Sequence, residues 1–184
     1  MDAEAFPSTL LAARSGEGWA LGELFREIHP RLVRFLSAFE QAEAEDLASE
    51  TWLDLAEALQ RFEGDEMSLR ALAFTIARRR LIDLQRRRAR RPSVAAEPAF
   101  FEDRGPNGDV EAEAVAALGT RAAIRQIACL PPDQAEVVLL RVLGGLSVDE
   151  VAKIMGKRPG TVRVIQHRAL RRLAELVTRE SVTG

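Results

Sequence analysis

The stretch "GLSVDEVAKIMGKRPGTVRVIQHRALRRL", residues 145–173, carries a Pro-Gly pair in the middle of an otherwise helical pattern. Ser147 followed three residues on by Glu150 fits a capping box, in which each side chain satisfies a backbone N–H the helix start leaves unpaired. A short helix is therefore expected from Ser147, burying Val148, Val151, Ile154 and Met155 and stopping at Gly156, a suitable closing residue. Lys157 and Arg158 make the turn. Pro159 is tolerated at the first positions of the next helix, where its missing N–H costs nothing. The interruption reads as a tight helix-to-helix turn, a helix-turn-helix.

The second helix has two unlike sides. At about 100° per residue, Val162, Ile165, Ala169, Leu173 and Leu176 share one face. Gly160, Arg163, Val164, His167, Arg168 and Arg171 occupy the other. An exposed side with three guanidinium groups and no acid suits a DNA major groove edged by phosphates, and Gly160 and Val164 are small enough to permit close approach. The N-terminal residues of such a helix lie nearest the bases, so Arg163 is the expected reader, flanked by Val164 and His167. Arg168, Arg171 and Arg172 lie further along and are expected on phosphates. Arg158, Pro159 and Thr161 at the helix start complete this candidate set. An amphipathic hairpin with a solvated basic face is the alternative.

The bulk composition would not have suggested DNA. The 184 residues carry a net charge of −2. The charges are segregated, however: residues 40–66 hold ten acids against one arginine, and 78–91 hold eight arginines against one aspartate. Residues 97–113 are again acidic and 157–179 again basic. Such stripes attract phosphates locally while the mean stays near zero, although any one stripe alone is equally a solvated helix face.

The rest of the composition narrows the class. No apolar run approaches the roughly 20 residues that span a bilayer. Acids precede the short apolar run of the N-terminus, a poor secretory signal. The single cysteine, Cys129, excludes an internal disulfide and suits the cytoplasm. His29 and His167 are too few for a Cys/His zinc site and too unrelated for a nucleophile–base pair. "GKR" at 156–158 lacks the surrounding residues of a phosphate loop. No catalytic residue, metal site or cofactor is expected, and an enzyme would need an unsignalled carboxylate pocket among Glu43, Glu45, Asp46 and Glu50.

Helical periodicity dominates and no strand pattern appears, so the fold class is all-α. Helices are expected near residues 8–15, 18–38, 44–62, 67–90, 113–129, 132–143, 147–155 and 160–178, with Pro30 kinking or breaking the second. Three prolines, two glycines and few periodic apolar positions make 90–111 a linker. Two small helical domains follow, 8–92 and 113–180, joined by an acidic flexible tether over 93–112.

In the fourth helix, Leu69, Leu72, Ala73, Ile76 and Leu84 form an apolar stripe that Arg80 and Arg87 then interrupt, so its end should leave the core. Arg78, Arg79, Arg80, Arg86, Arg87 and Arg88 are candidates to pair with phosphates and stack on bases. In the third helix, Ala48, Thr51, Leu55, Ala58 and Phe62 share one side. Asp46, Ser49, Glu50, Leu53, Asp54 and Glu57 lie largely outside it as an acidic surface that would orient a basic partner.

These segments together resemble a known family. "LPPDQAEVVLLRVLGGLSVDEVAKIMGKRPGTVRVIQHRALRRL" looks like the C-terminal domain of sigma factors of the extracytoplasmic-function type, within the sigma-70 family. "EDLASETWLDLAEALQRF" resembles their core-polymerase-binding helix, and "LRALAFTIARRRLIDLQRRRARRP" their helix for the minus-ten promoter element. The resemblance covers nearly the whole chain, in order. It implies a transcription initiation factor whose acidic helix docks on the basic coiled coil of the RNA polymerase clamp. The Arg78–Arg88 set would then serve the minus-ten element and the Arg158–Arg172 set the minus-thirty-five element. It also implies a candidate anti-sigma partner and no membrane insertion. Two positions depart from the family: Leu72 stands where relatives usually carry Trp, and Arg79 where they carry Asn beside the melted strand. The competing readings are a helix-turn-helix regulator with an N-terminal sensor, and an interaction module that binds no DNA.

Overall fold

The structure is a computed structural model that describes residues 5–90 and 121–183. The expected linker over 93–112, and the start of the helix expected at 113, lie outside the described residues. All regular elements among the described residues are helical. They are α1 (Phe6–Arg14), α2 (Gly18–Ser37), a short 3-10 turn (Gln41–Glu43), α3 (Ala44–Leu59) and α4 (Glu66–Arg90). After them come α5 (121–128), α6 (Pro132–Val142), α7 (Val148–Met155) and α8 (Pro159–Thr183).

In the first half, α2 lies between α1 and α3, and both α2 and α3 pack on α4. The stripe Ala20, Leu24, Ile28, Leu32, Phe35 and Leu36 of α2 is buried along the helix's whole length. Of the kink or break expected at Pro30, the break does not occur: the proline sits on the exposed side, while apolar burial on either side of it holds the helix together. Phe35 meets Phe74 of α4 edge-on, with ring centroids 5.4 Å apart and an interplanar angle of 79°. Leu47, Ala48, Thr51, Leu55 and Leu59 of α3 face the same core, and Thr51 satisfies its buried hydroxyl on the Leu47 carbonyl at 2.7 Å.

α3 ends three residues before the expected position 62. Its last carbonyls are taken by tighter bonds, from the Arg61 N–H to Ala58 at 3.1 Å and from the Phe62 N–H to Leu59 at 3.2 Å. α4 then begins at an aspartate cap, the Ser68 N–H donating to Asp65 Oδ1 at 2.8 Å. Hydrogen bonding from Ser68 holds the Asp65 carboxyl below its ordinary value.

In the second half, α6 is buried almost all round, through Ala135, Val137, Val138, Leu139 and Leu140, and packs on α8 and α7. The turn that leaves it is close-packed: a Cβ on Gly144 would stand 2.6 Å from the Leu140 carbonyl oxygen. The core residues of both halves belong to one buried cluster, and α4 touches α7.

Candidate nucleic-acid interface

The helix-turn-helix forms as its sequence dictates. The Glu150 N–H donates to Ser147 Oγ at 3.2 Å and the Ser147 N–H to Glu150 Oε2 at 2.6 Å, a complete capping box. Gly156 closes α7 in the left-handed region at φ 64°, and Pro159 opens α8 two residues after Lys157. Lys157 Nζ lies 3.0 Å from Asp133 Oδ2, which ties the turn to the start of α6. Val151, Ala152 and Met155 of α7 are buried, while Val148 and Ile154 are half-buried against the same cluster.

The two sides of α8 separate as the periodicity predicts. Val162 and Ala169 are fully covered, and Ile165, Leu173 and Leu176 pack partly against the core. Gly160, Thr161, Arg163, Val164, His167, Arg168 and Arg171 are exposed, together with Arg158 in the turn; Pro159 is half-buried. Val164 exposes half its surface, an apolar contact beside the Arg163 guanidinium. Arg172 lies further round, beside a shallow hollow lined by Cys129, Leu130, Pro131 and Glu175. Leu170, also half-exposed, is an apolar residue that the amphipathic reading did not single out.

The basic end of α4 is arranged differently, because most of its arginines already have partners. Arg78 donates to Glu136 of α6. Arg80 grips α3: its Nε lies 2.9 Å from Asp54 Oδ2, a terminal nitrogen 2.8 Å from Oδ1, and the other terminal nitrogen bonds Glu50. Arg79 reaches Asp54 at 3.5 Å, and Arg88 bonds Glu40 and also Glu43 at 2.8 Å. Hydrogen bonding to Arg80 lowers the Asp54 carboxyl below its ordinary value, and Asp54 in turn raises the Arg80 guanidinium. Arg86 lies 3.9 Å from Asp83 within its own helix, and Arg87 has no acid within ion-pair distance among the described residues.

The acidic residues of α3 divide accordingly. Asp46, Ser49, Leu53 and Glu57 are exposed, Leu53 by 69%. Glu50 and Asp54 are engaged by α4. Sequence reasoning assigned the two stripes to separate partners and missed Glu40, Glu43 and Glu136 as arginine partners. The opposite charge of the adjacent blocks 40–66 and 78–91 was the available signal. His29 stacks on Phe25 with ring centroids 4.3 Å apart and its Nε2 lies 3.4 Å from Glu45 Oε2, while His167 is exposed on α8. No described helix is long and apolar enough to cross a membrane.

Comparison with known proteins supplies the context for these surfaces. Residues 24–91 match the family model for Sigma-70 region 2, and residues 120–173 match that for Sigma-70, region 4. The chain is 34% identical over 173 residues to the ECF RNA polymerase sigma factor ShbA of Streptomyces griseus, covering 89% of this chain and 91% of that one. It is 32% identical over 185 residues to the ECF RNA polymerase sigma factor SigD of Mycobacterium tuberculosis, covering 95% and 85%. Among solved structures, the sigma factor RpoE of Bartonella quintana, crystallised with the anti-sigma factor NepR, is similar with a TM-score of 0.61. That match has 26% identity and covers 85% of this chain and 96% of the other.

Proposed function

The chain belongs to the sigma-70 family of RNA polymerase sigma factors, in the extracytoplasmic-function group, and we propose how its surfaces divide the work of transcription initiation. It binds core RNA polymerase and directs it to promoters. The N-terminal domain, residues 8–92, holds polymerase through α3 and meets the minus-ten element through the end of α4. The C-terminal domain, residues 113–180, reads the minus-thirty-five element with α8, and residues 93–112 tether the two.

The observation that carries the assignment for α8 is the continuous exposed row Arg163, Val164, His167, Arg168 and Arg171, facing away from the core on a capped helix-turn-helix. On α3, exposed Leu53 among Asp46, Ser49 and Glu57 supplies an apolar centre with an acidic rim, the composition of a specific docking patch. On α4, Arg86 and Arg87 are the groups most available to DNA, and Arg78, Arg79, Arg80 and Arg88 join them only when their acids let go. The chain acts by binding and performs no chemistry of its own. It works in the cytoplasm beside the chromosome, and the anti-sigma partner of the solved relative makes a protein inhibitor a candidate partner here.

In vitro transcription with core polymerase on a library of promoters tests the function directly. The expected result is a recurring pair of elements upstream of the start sites. Initiation that is no different from that of core enzyme alone would defeat the proposal.

A further inference from the structure

Glu50 and Asp54 belong to the surface assigned to polymerase, while Arg79 and Arg80 belong to the surface assigned to DNA. In the free chain these four residues are each other's counterions. Both Asp54 oxygens are occupied, Oδ2 by Arg80 Nε at 2.9 Å and Oδ1 by a second Arg80 nitrogen at 2.8 Å, with Arg79 at 3.5 Å from Oδ2. Two turns further along α4, Arg88 joins the segment just ahead of α3 through Glu40 and Glu43. We propose that this is an exchangeable ion-pair lattice: a basic polymerase surface docking on α3 takes Glu50 and Asp54 from Arg80 and Arg79, which become available to the DNA backbone.

The outer members of the lattice are solvated, Arg79 being 68% and Glu50 54% exposed, and the half-buried Arg80 and Asp54 still show solvent 25% and 29% of their side chains, so these pairs can be traded for equivalent ones at small net cost. Asp54 has few acceptor sites left, so an incoming ammonium or guanidinium group must crowd the arginines already there, and like charges at that range repel. Arginine cannot discharge by losing a proton, so once its carboxylate is claimed it stays charged, and a DNA phosphate is an anion it binds in bidentate fashion. By linkage the effect is reciprocal: DNA that draws Arg79 and Arg80 away exposes Glu50 and Asp54 and tightens polymerase binding. The inference rests on the assignment of α3 and α4 made above.

The test uses the full chain and a short DNA duplex, with affinity followed against salt concentration. Glu50→Gln combined with Asp54→Asn preserves shape and removes charge. The free variant should bind DNA with a salt slope steeper by about two units, one for each arginine released. Adding Arg79→Ala and Arg80→Ala should return the slope to that of the unaltered chain. Asp46→Asn removes a neighbouring charge that holds no arginine and should leave the slope unchanged. Equal steepening by Asp46→Asn would mean that α3 acts only through its general field and would overturn the exchange, as would an unsteepened double variant. Glu40→Gln with Glu43→Gln gives a second reading should the first variant fail to fold, with about one unit expected from Arg88 and no change counting against the lattice. In the polymerase complex, Arg80→Ala should lower the slope by about one unit, yet leave that of the free chain unaltered; equal effects in both overturn the coupling. Binding of the unaltered chain to core polymerase keeps the failures apart. A chain that does not bind core removes the partner and the exchange with it, whereas one that binds core without the expected slopes removes the exchange alone.

Discussion

Arg163 and Arg171 lie on the same exposed side of α8, two turns apart, and differ in what they can reach. A guanidinium near the N-terminus of a recognition helix can bond a guanine edge in two places, whereas one further along meets phosphates. Arg163→Ala should cost about 1–3 kcal/mol on the preferred minus-thirty-five element and relax specificity at one position. Arg171→Ala should weaken all sequences evenly and lower the salt slope by about one unit. Quantitative binding to a set of single-base variants distinguishes the two, and an even loss from Arg163→Ala would mean that α8 is oriented differently. This side of α8 was legible in the sequence because helical period and capping signals are local. The partners of Arg80 were not, since Asp54 and Glu50 lie 26 and 30 residues away and only packing brings them together. Periodicity placed Arg80 on the core side of α4, and its half-buried position beside α3 is the physical meaning of that placement.

For the elements, the α3–α4 contact sets a pH dependence. Asp54 has a lowered folded-state pKa, chiefly because Arg80 donates to it, so its pairing stabilises the fold above the ordinary carboxylate value of 3.8. That stability is lost as pH falls through the lowered value. Thermal unfolding should therefore show a steeper acid decline in the unaltered chain than in Asp54→Asn, with the two curves drawing together at low pH. The same contact decides how polymerase docking is best probed. Reversing Glu50 or Asp54 to Lys would set a cation against Arg80 and disturb α4 as well, whereas Asp46→Lys with Glu57→Lys changes only exposed carboxylates. That pair should weaken core binding and leave the melting temperature nearly unchanged, because exposed helix charges contribute little to stability. At the turn, Ser147→Ala removes the acceptor of the capping box and should cost about 1 kcal/mol, read from chemical denaturation. Helix limits were legible to within two residues wherever a cap, glycine or proline marked them. The ends of α3, at Leu59 rather than 62, and of α8, at Thr183 rather than 178, were not, because no breaker stands at either expected limit; α3 tightens through backbone bonds alone.

At the scale of the whole molecule, Arg78 of α4 and Glu136 of α6 join the two halves across 58 residues of sequence. Elements named for positions minus ten and minus thirty-five lie about 25 base pairs apart, on the order of 85 Å along B-DNA. A compact chain of this length has a radius of gyration of only about 16 Å. Both elements therefore cannot be read while α4 and α6 touch, and the Arg78–Glu136 contact must open on the promoter. Glu136→Lys, which turns the attraction into repulsion, should raise the radius of gyration in solution scattering. An unchanged radius would mean that the remaining packing between the halves, that of α4 with α7 included, holds them together without this pair. The two helical units could be read from composition and periodicity, whereas their contact could not, since no local pattern records which distant acid an arginine meets.

The short turns of the second half carry a consequence for the order of events in folding. α6, α7 and α8 follow one another with only a few residues between them, and all three pack on one another within this short span of chain. Local contacts are closed at small entropic cost, and helical units of this type fold in microseconds to milliseconds. The joins from Arg88 to Glu40 and from Arg78 to Glu136 span 48 and 58 residues and close far larger loops. The helix-turn-helix should therefore be complete before the halves meet, and a kinetic experiment should see Ser147→Ala slow an early phase that Glu136→Lys leaves untouched.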